Sequence, residues 1–330
     1  MTTINKKIVL SGMQPSGELH LGNYLGALNN WLNIQNKYQC YFFLATYHSL
    51  SEDYDPKEKS QQIMNLAIDY LAAGLDPKKC VIFNQTDVPA STELAWIFNT
   101  LTPISELERM TQFKDKSAKQ SKNINLGLLA YPVLQAADIL IYNADFVPVG
   151  KDQIQHVEIT RDIARWFNNK YKKSFFSEPK PLLTKIPKVM SLIEPEKKMS
   201  KSSGPKHYIA INDSPETIKS KISKAVTGTG TEKEIPVGAK NLLSLLEEFG
   251  TKEQYNHYSK QIKDKSIKYS ELKNDLAIAI SGYFEPYRAK RKKLEQNPEY
   301  VKKVLSDGAK KAEKIAKNTL KEVKEIIGVI

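Results

Sequence analysis

Three short apolar runs, Ile8-Val9-Leu10, Cys40 to Ala45 and Cys80 to Phe83, recur at intervals of about thirty to forty residues, and this spacing constrains the fold more than any other feature. Between the first two, Leu21, Leu25, Leu28 and Leu32 return every three or four residues. Between the second and third, Ile63, Leu66, Ala67, Tyr70 and Leu71 share one face of a helix that opens near Pro56 and stops at Gly74. Short strands that recur after a crossing helix pair in parallel. The spacing therefore predicts an α/β fold, a doubly wound parallel-sheet (Rossmann-like) nucleotide-binding domain, whose ligands bind beyond the carboxyl ends of the strands.

Further along, helical periodicity covers Ser91 to Leu101, Pro132 to Tyr142 and Ile154 to Tyr171, with a strand at Phe146 to Val149 and one more expected at Val189 to Ile193. After Asp213 the pattern changes to helix after helix, first Pro215 to Val226 and then from Leu242 onward, with lysines on the polar faces. The predicted domains are residues 1–212, containing a helical connecting segment at about 105–175, and an all-helical C-terminal domain at 213–330.

Composition narrows the function classes. Apolar residues make up 41% and charged residues 26%, which excludes a collagen-like rod or a disordered tail. The 49 Lys and Arg against 37 Asp and Glu leave a net charge of +12, a field suited to phosphate-rich partners, although a lysine-rich proteome would give the same sum. Cys40 and Cys80 lie far apart in apolar runs, too few for a disulfide framework or a zinc knuckle, and no metal-ligand cluster is expected. Residues 1–7 lack an apolar signal core and no run is long enough to span a bilayer, which predicts a cytoplasmic protein without membrane contact.

Two stretches carry candidate chemistry. Met13 to Asn23 joins the first strand to the first helix, and Ser16, Gly17, His20 and Gly22 leave room for a phosphate to approach the backbone at a helix start. An ordinary strand-to-helix turn with a buried histidine fits the same residues. Pro195 to Lys206 is built of lysine, serine, glycine and proline, and could close ammonium groups around polyphosphate charge or be a solvated surface loop.

Taken as a pair, His20-Leu21-Gly22-Asn23 after a Pro-Ser-Gly turn and Lys198-Met199-Ser200-Lys201-Ser202 about 180 residues later resemble the two signatures of class I aminoacyl-tRNA synthetases. Within that class the chain resembles the bacterial tryptophanyl-tRNA synthetase family nearly end to end, through Glu108 to Ser117, Ala136 to Leu140 and Val147 to Asp162. The resemblance implies ATP binding by Gln14, Pro15, Ser16, His20, Gly22, Asn23, Gly150, Lys151, Asp152 and Val189. It implies that Lys198, Met199, Ser200, Lys201 and Ser202 close over the pyrophosphate, with Lys116 as a further phosphate contact. For tryptophan it implies Asp138 as acceptor of the indole N–H, Tyr131, His48 and Gln153 around the polar end, and Leu10, Gln135, Val147 and Val149 in the pocket wall. It further implies Mg2+ with the ATP, tRNA(Trp) as second substrate, and a homodimer.

Asp138 has a separate physical argument. It lies in Ala136-Ala137-Asp138-Ile139-Leu140-Ile141, where a buried carboxylate is costly unless something donates to it. A ligand N–H is one donor and an arginine elsewhere in the chain another. The chain departs from the family pattern at Leu10 and Gln135, where larger or softer apolar side chains are common, at Tyr47, where Gln is common, at Lys151, which replaces an acidic residue, and at Ser203-Gly204.

Residues 281–330 hold 13 basic and 7 acidic residues, and Tyr283, Phe284, Tyr287 and Tyr300 lie among them. Aromatics among lysines suit splayed RNA bases, and equally suit a solvated helical bundle with an aromatic core. With the resemblance this half is expected to read the anticodon. His156 and His207 read as structural histidines, and Trp31, Trp96 and Trp166 as core or interface. The rival functions are a tyrosine-specific synthetase, a non-catalytic RNA-binding relative, and a small nucleotidyltransferase.

Overall fold

A computed structural model describes residues 6–51, 53–119, 124–150, 153–183, 188–228 and 234–330, with no side-chain description for Lys119. Five parallel strands form one sheet in the order β3-β2-β1-β4-β5: β1 Ile8–Met13, β2 Gln39–Leu44, β3 Cys80–Asn84, β4 Phe146–Val149 and β5 Lys180–Leu183. The order reverses between β1 and β4, the place where a doubly wound sheet opens a crevice at its carboxyl edge. β1 and β2 pair from Ile8↔Gln39 to Met13↔Leu44, and β2 and β3 from Cys40↔Cys80 to Leu44↔Asn84.

In chain order the α-helices are α1 Leu21–Asn23, α2 Asn29–Ile34, α3 Pro56–Ala73, α4 Ala90–Asn99, α5 Ile104–Glu108, α6 Thr111–Lys119, α7 Leu126–Leu140, α8 Ile154–Tyr171, α9 Pro215–Ser223, α10 Val237–Phe249, α11 Lys252–Lys263, α12 Tyr269–Tyr283, α13 Glu285–Glu295 and α14 Pro298–Ile327. A π-helical turn, Tyr24–Leu28, separates α1 from α2. The expected helix from Pro56 is α3, capped by Asp55 and stopped by Gly74 at φ +117°.

One expected strand is absent. Val189 to Ile193 makes only an isolated bridge, Met190↔Lys198, because its main chain bonds to neighbouring loops: Ser191 N–H donates to Lys197 O, and Leu192 N–H to His207 O. The fifth strand is instead β5, pairing with β4 from Phe146↔Lys180 to Val149↔Leu183.

The chain divides into two units that interleave in sequence, rather than parting at 212/213. One contains residues 1–17, 30–184 and 294–330, and the other 18–29 and 185–293. The sheet belongs to the first. Its core joins Leu10, Tyr41, Phe43 and Val147 to α4, α7 and α8 and to Ala312, Ala316 and Val323 of α14. The last helix returns to the sheet at Gly308, where an added Cβ would lie 1.8 Å from the Ile82 carbonyl oxygen. In the second unit α12 packs on α9 and α10. Its end forms an aromatic cluster of Phe249, Tyr283, Phe284 and Tyr24. Phe284 and Tyr287 are buried, so of the four aromatics read as base-stacking candidates only Tyr283 and Tyr300 present exposed rings. Cys40 and Cys80 are free, buried thiols.

Candidate active site

In the first unit, α7 carries Tyr131, Gln135 and Asp138 on one face, since residues four and three apart fall above one another on a helix. Asp138 is 3% exposed, and two side chains donate to its Oδ2: His48 Nε2 at 2.8 Å and Gln85 Nε2 at 2.8 Å. The donors are thus a histidine and an amide rather than the arginine considered from sequence. Each donor is fixed in turn. Gln85 Oε1 accepts the Tyr47 N–H at 2.9 Å, and the His48 carbonyl accepts from Gln14 Nε2 at 3.3 Å and Ser51 Oγ at 2.8 Å. Burial first, then the Asp138 charge and Tyr41, pushes the Tyr142 phenol well above its ordinary range.

The His48 ring meets Tyr131 edge-on at 6.4 Å, and the Tyr131 hydroxyl shares a 2.8 Å hydrogen bond with His156 Nε2. Lys116, expected to meet a phosphate, here places its Nζ 4.7 Å from the centre of the Tyr131 ring. Leu10, Val147 and Val149 are buried together in the sheet core, and Gln135 is half-buried. Gln153 precedes α8, and its N–H donates to the Gly150 carbonyl at 3.0 Å. Lys151 and Asp152 lie outside the described residues. The Pro15 carbonyl accepts from Lys59 Nζ, Ser16 is exposed, and Gly17 turns the chain at φ +91°, a left-handed conformation that favours glycine. A cavity of about 280 Å³ opens beside His48 and Tyr131, lined also by Tyr47, Ala95, Trp96 and Leu134.

The second unit holds His20, Gly22 and Asn23 together with the lysine loop. His20 caps α1 through Nδ1, which accepts the Gly22 N–H at 3.0 Å, while Asn23 Oδ1 accepts the His20 N–H at 3.2 Å. Gly22 has no room for a side chain, because a Cβ would lie 2.8 Å from the His20 ring, with Val189 beyond at 3.8 Å. Leu21 N–H donates to Ile209 O and Ile211 N–H to Leu19 O, tying the segment to the chain that follows the lysine loop.

Burial, aided by the Lys201 and Lys198 ammonium groups, pushes the His20 imidazole down to about 4. It is therefore neutral at pH 7, with the Nε2 nitrogen carrying the proton because Nδ1 accepts. Burial also holds the Lys201 ammonium below its ordinary range, against the opposing influence of Glu18. Met199 is buried and its N–H donates to Val189 O at 2.9 Å, which anchors the loop between Lys198 and Lys201. Ser200 and Ser202 share a 2.8 Å hydroxyl bond, and Gly204 leaves the loop at φ +100°. Among the described residues no three His, Cys, Asp or Glu side chains converge as metal ligands.

Sequence reasoning missed Gln85. A lone amide after a strand carries no signal, although Gln85 stands at the carboxyl end of β3, where the fold puts ligand contacts. His156, read as structural, supports the site through Tyr131.

The family model described as tRNA synthetases class I (W and Y) matches residues 3–285. A tryptophan–tRNA ligase of Clostridium tetani is 44% identical over 99% of this chain and 97% of its own, and one of Rickettsia felis is 43% identical over 98% and 99%. The solved tryptophanyl-tRNA synthetase of Campylobacter jejuni, complexed with ADP and tryptophan, superposes with a TM-score of 0.86 at 36% identity, covering 97% of this chain and 99% of that one. The enzyme of Mycoplasma pneumoniae gives 0.85 at 34%, covering 98% of each. The reversed parallel sheet, the capped histidine with its lysine loop and the full-length likeness agree: the chain belongs to the class I tRNA synthetases for tryptophan and tyrosine, in the bacterial tryptophanyl branch.

Proposed function

We infer that the chain is a tryptophan–tRNA ligase, an enzyme that activates L-tryptophan with ATP and transfers it to tRNA(Trp). The observation that carries the amino-acid assignment is Asp138. Both side-chain donors meet Oδ2, which leaves Oδ1 to accept the indole N–H in an otherwise apolar setting. A buried acceptor of this kind rejects analogues without a donor far more strongly than a size-reading wall does.

In the first half-reaction a tryptophan carboxylate oxygen attacks the α-phosphorus of ATP, and the bond to the bridging oxygen breaks to release pyrophosphate. The ribose hydroxyl at the end of tRNA then attacks the adenylate's carbonyl and AMP leaves. No side-chain nucleophile is required. Rate comes from position and from charge placed where it grows. Lys198 and Lys201 supply positive charge toward the leaving pyrophosphate. His20 Nε2–H offers a neutral donor to phosphate oxygens. In the first unit Gln14, Pro15, Ser16 and Gly150, and in the second Asn23 and Val189, are assigned to the nucleotide; Ser200 and Ser202 shape the lysine loop, Tyr131 and Gln153 are assigned to the amino acid's polar end, and His48 holds Asp138. Mg2+ would come with the triphosphate, as part of the substrate.

A homodimer is supported by exposed apolar side chains in the first unit: Trp96 is 71% exposed, Ile104 63% and Leu126 81%. The basic helices beyond Asp213 are the proposed tRNA-reading surface. No helix among the described residues is long and apolar enough to cross a membrane, and the reaction's substrates put the enzyme in the cytoplasm.

The test is amino-acid-dependent ATP–pyrophosphate exchange with tryptophan, tyrosine and phenylalanine. Exchange with tryptophan alone is expected; exchange with tyrosine would reassign the substrate.

A further inference from the structure

Tyr24 follows α1 directly, as its C-cap. It opens the π-helical turn, whose wide ring closes where the Asn29 N–H reaches the Tyr24 carbonyl. Such turns are rare, and they persist where surrounding contacts hold them. Here the contacts come from the far end of α12. The Tyr24 hydroxyl bonds the Tyr283 hydroxyl at 2.8 Å, and the Tyr24 ring meets Phe284 edge-on at 4.9 Å and Tyr283 at 5.9 Å. Phe249 backs the last two rings at 5.6 and 5.0 Å.

The two hydroxyls differ in what they can do without each other. Tyr24 is 6% exposed, whereas Tyr283 is 43% exposed. A buried phenol that loses its partner must find another or leave its place, while an exposed one turns to water. The residue before Tyr24 is Asn23, whose amide oxygen holds the His20 N–H, and the residue before that is Gly22, whose N–H is fixed by the His20 ring. A shift of Tyr24 therefore passes directly into the groups proposed to meet the nucleotide's phosphates.

We propose that Tyr24 and Tyr283 form a positioning pair: their shared hydrogen bond pins the π-helical turn to the end of α12 and thereby fixes Asn23 and His20 for ATP. The pair rests on the proposed role of that segment in binding ATP. It adds that a residue of the helical region, 259 positions away in sequence, sets the nucleotide affinity. The Tyr283 ring is thus occupied in holding Tyr24 rather than awaiting a base.

The experiment is a double-mutant cycle on the full chain with Y24F, Y283F and Y24F/Y283F, read by ATP affinity in calorimetry and by the ATP and tryptophan dependence of pyrophosphate exchange. Y283F is expected to weaken ATP about five-fold, the scale of one hydrogen bond, and Y24F less, because the hydroxyl it strands is exposed. The double variant should be no weaker than Y283F, so the two effects fail to multiply. The KM for tryptophan should move less than about two-fold, a split that a general loss of packing would not produce. Multiplying effects, unchanged ATP affinity in Y283F, or parallel rises in both KM values would overturn the pair. Calorimetric ATP affinity reads the positioning role even if the wild-type enzyme showed no exchange with tryptophan, so failure of the assigned reaction is distinguishable from failure of the pair.

Discussion

Asp138 is held by two side chains, His48 and Gln85, each fixed by further hydrogen bonds, whereas the His20 ring is held by a main-chain N–H of its own helix start, that of Gly22. The first arrangement sets two side-chain donors on one oxygen of a buried aspartate. The second sets two lysines near a neutral histidine, with Glu18 acting on Lys201. The difference follows from the ligands each would meet. An indole N–H is a single directional donor and needs an acceptor fixed in advance, while a polyphosphate brings its own negative charge and needs positive charge placed to meet it.

The sharpest way to break this contrast is Asp138→Ala. It removes the acceptor and strands two buried donors, so kcat/KM for tryptophan in pyrophosphate exchange should fall about 10³-fold or more, with the KM for ATP nearly unchanged. A parallel loss of ATP affinity would mean that the carboxylate supports the fold rather than the substrate. Lys201→Ala should do the reverse, lowering the rate of adenylate formation about 10²- to 10³-fold while the KM for tryptophan stays within about two-fold. Single-turnover measurements would separate the two effects.

The His20 imidazole titrates at about 4 when folded against 6.5 when free, so between those values the unfolded chain binds more protons. Its contribution to stability is complete above pH 6.5 and is lost as the pH falls toward 4, up to about 3 kcal/mol. Denaturant unfolding at pH 7 and pH 4.5 should show that His20→Asn flattens this part of the profile; an unchanged slope would remove burial and the lysines as its cause. The smallest effect is expected from Gln85→Ala, which leaves Asp138 one side-chain donor and should raise the KM for tryptophan about ten-fold.

Much of this was legible in the residues because it repeats. Four strands and the helices between them follow from apolar spacing, and both signatures follow from residue types that only a few jobs require. β5 escaped notice because an edge strand needs pairing on one side only and tolerates Lys180-Pro181, which break an apolar pattern. Val189 to Ile193 misled for the opposite reason: it is apolar enough for a strand, but its hydrogen bonds go to the lysine loop. Phe284 shows the limit of composition. Aromatics among lysines read alike whether a ring faces solvent or core, and only packing against Tyr24 and Phe249 decides.

The return of α14 to β3 has a consequence for how the protein is made. β3 stands at the edge of the sheet, and the glycine that seats the last helix against it is translated about 220 residues after the strand itself. At ordinary ribosomal speeds the edge waits roughly ten to forty seconds for its cover. During that interval the nascent chain presents an incomplete sheet of apolar strands, and its solubility in the cell depends on whatever shields β3 until the final thirty-residue helix emerges.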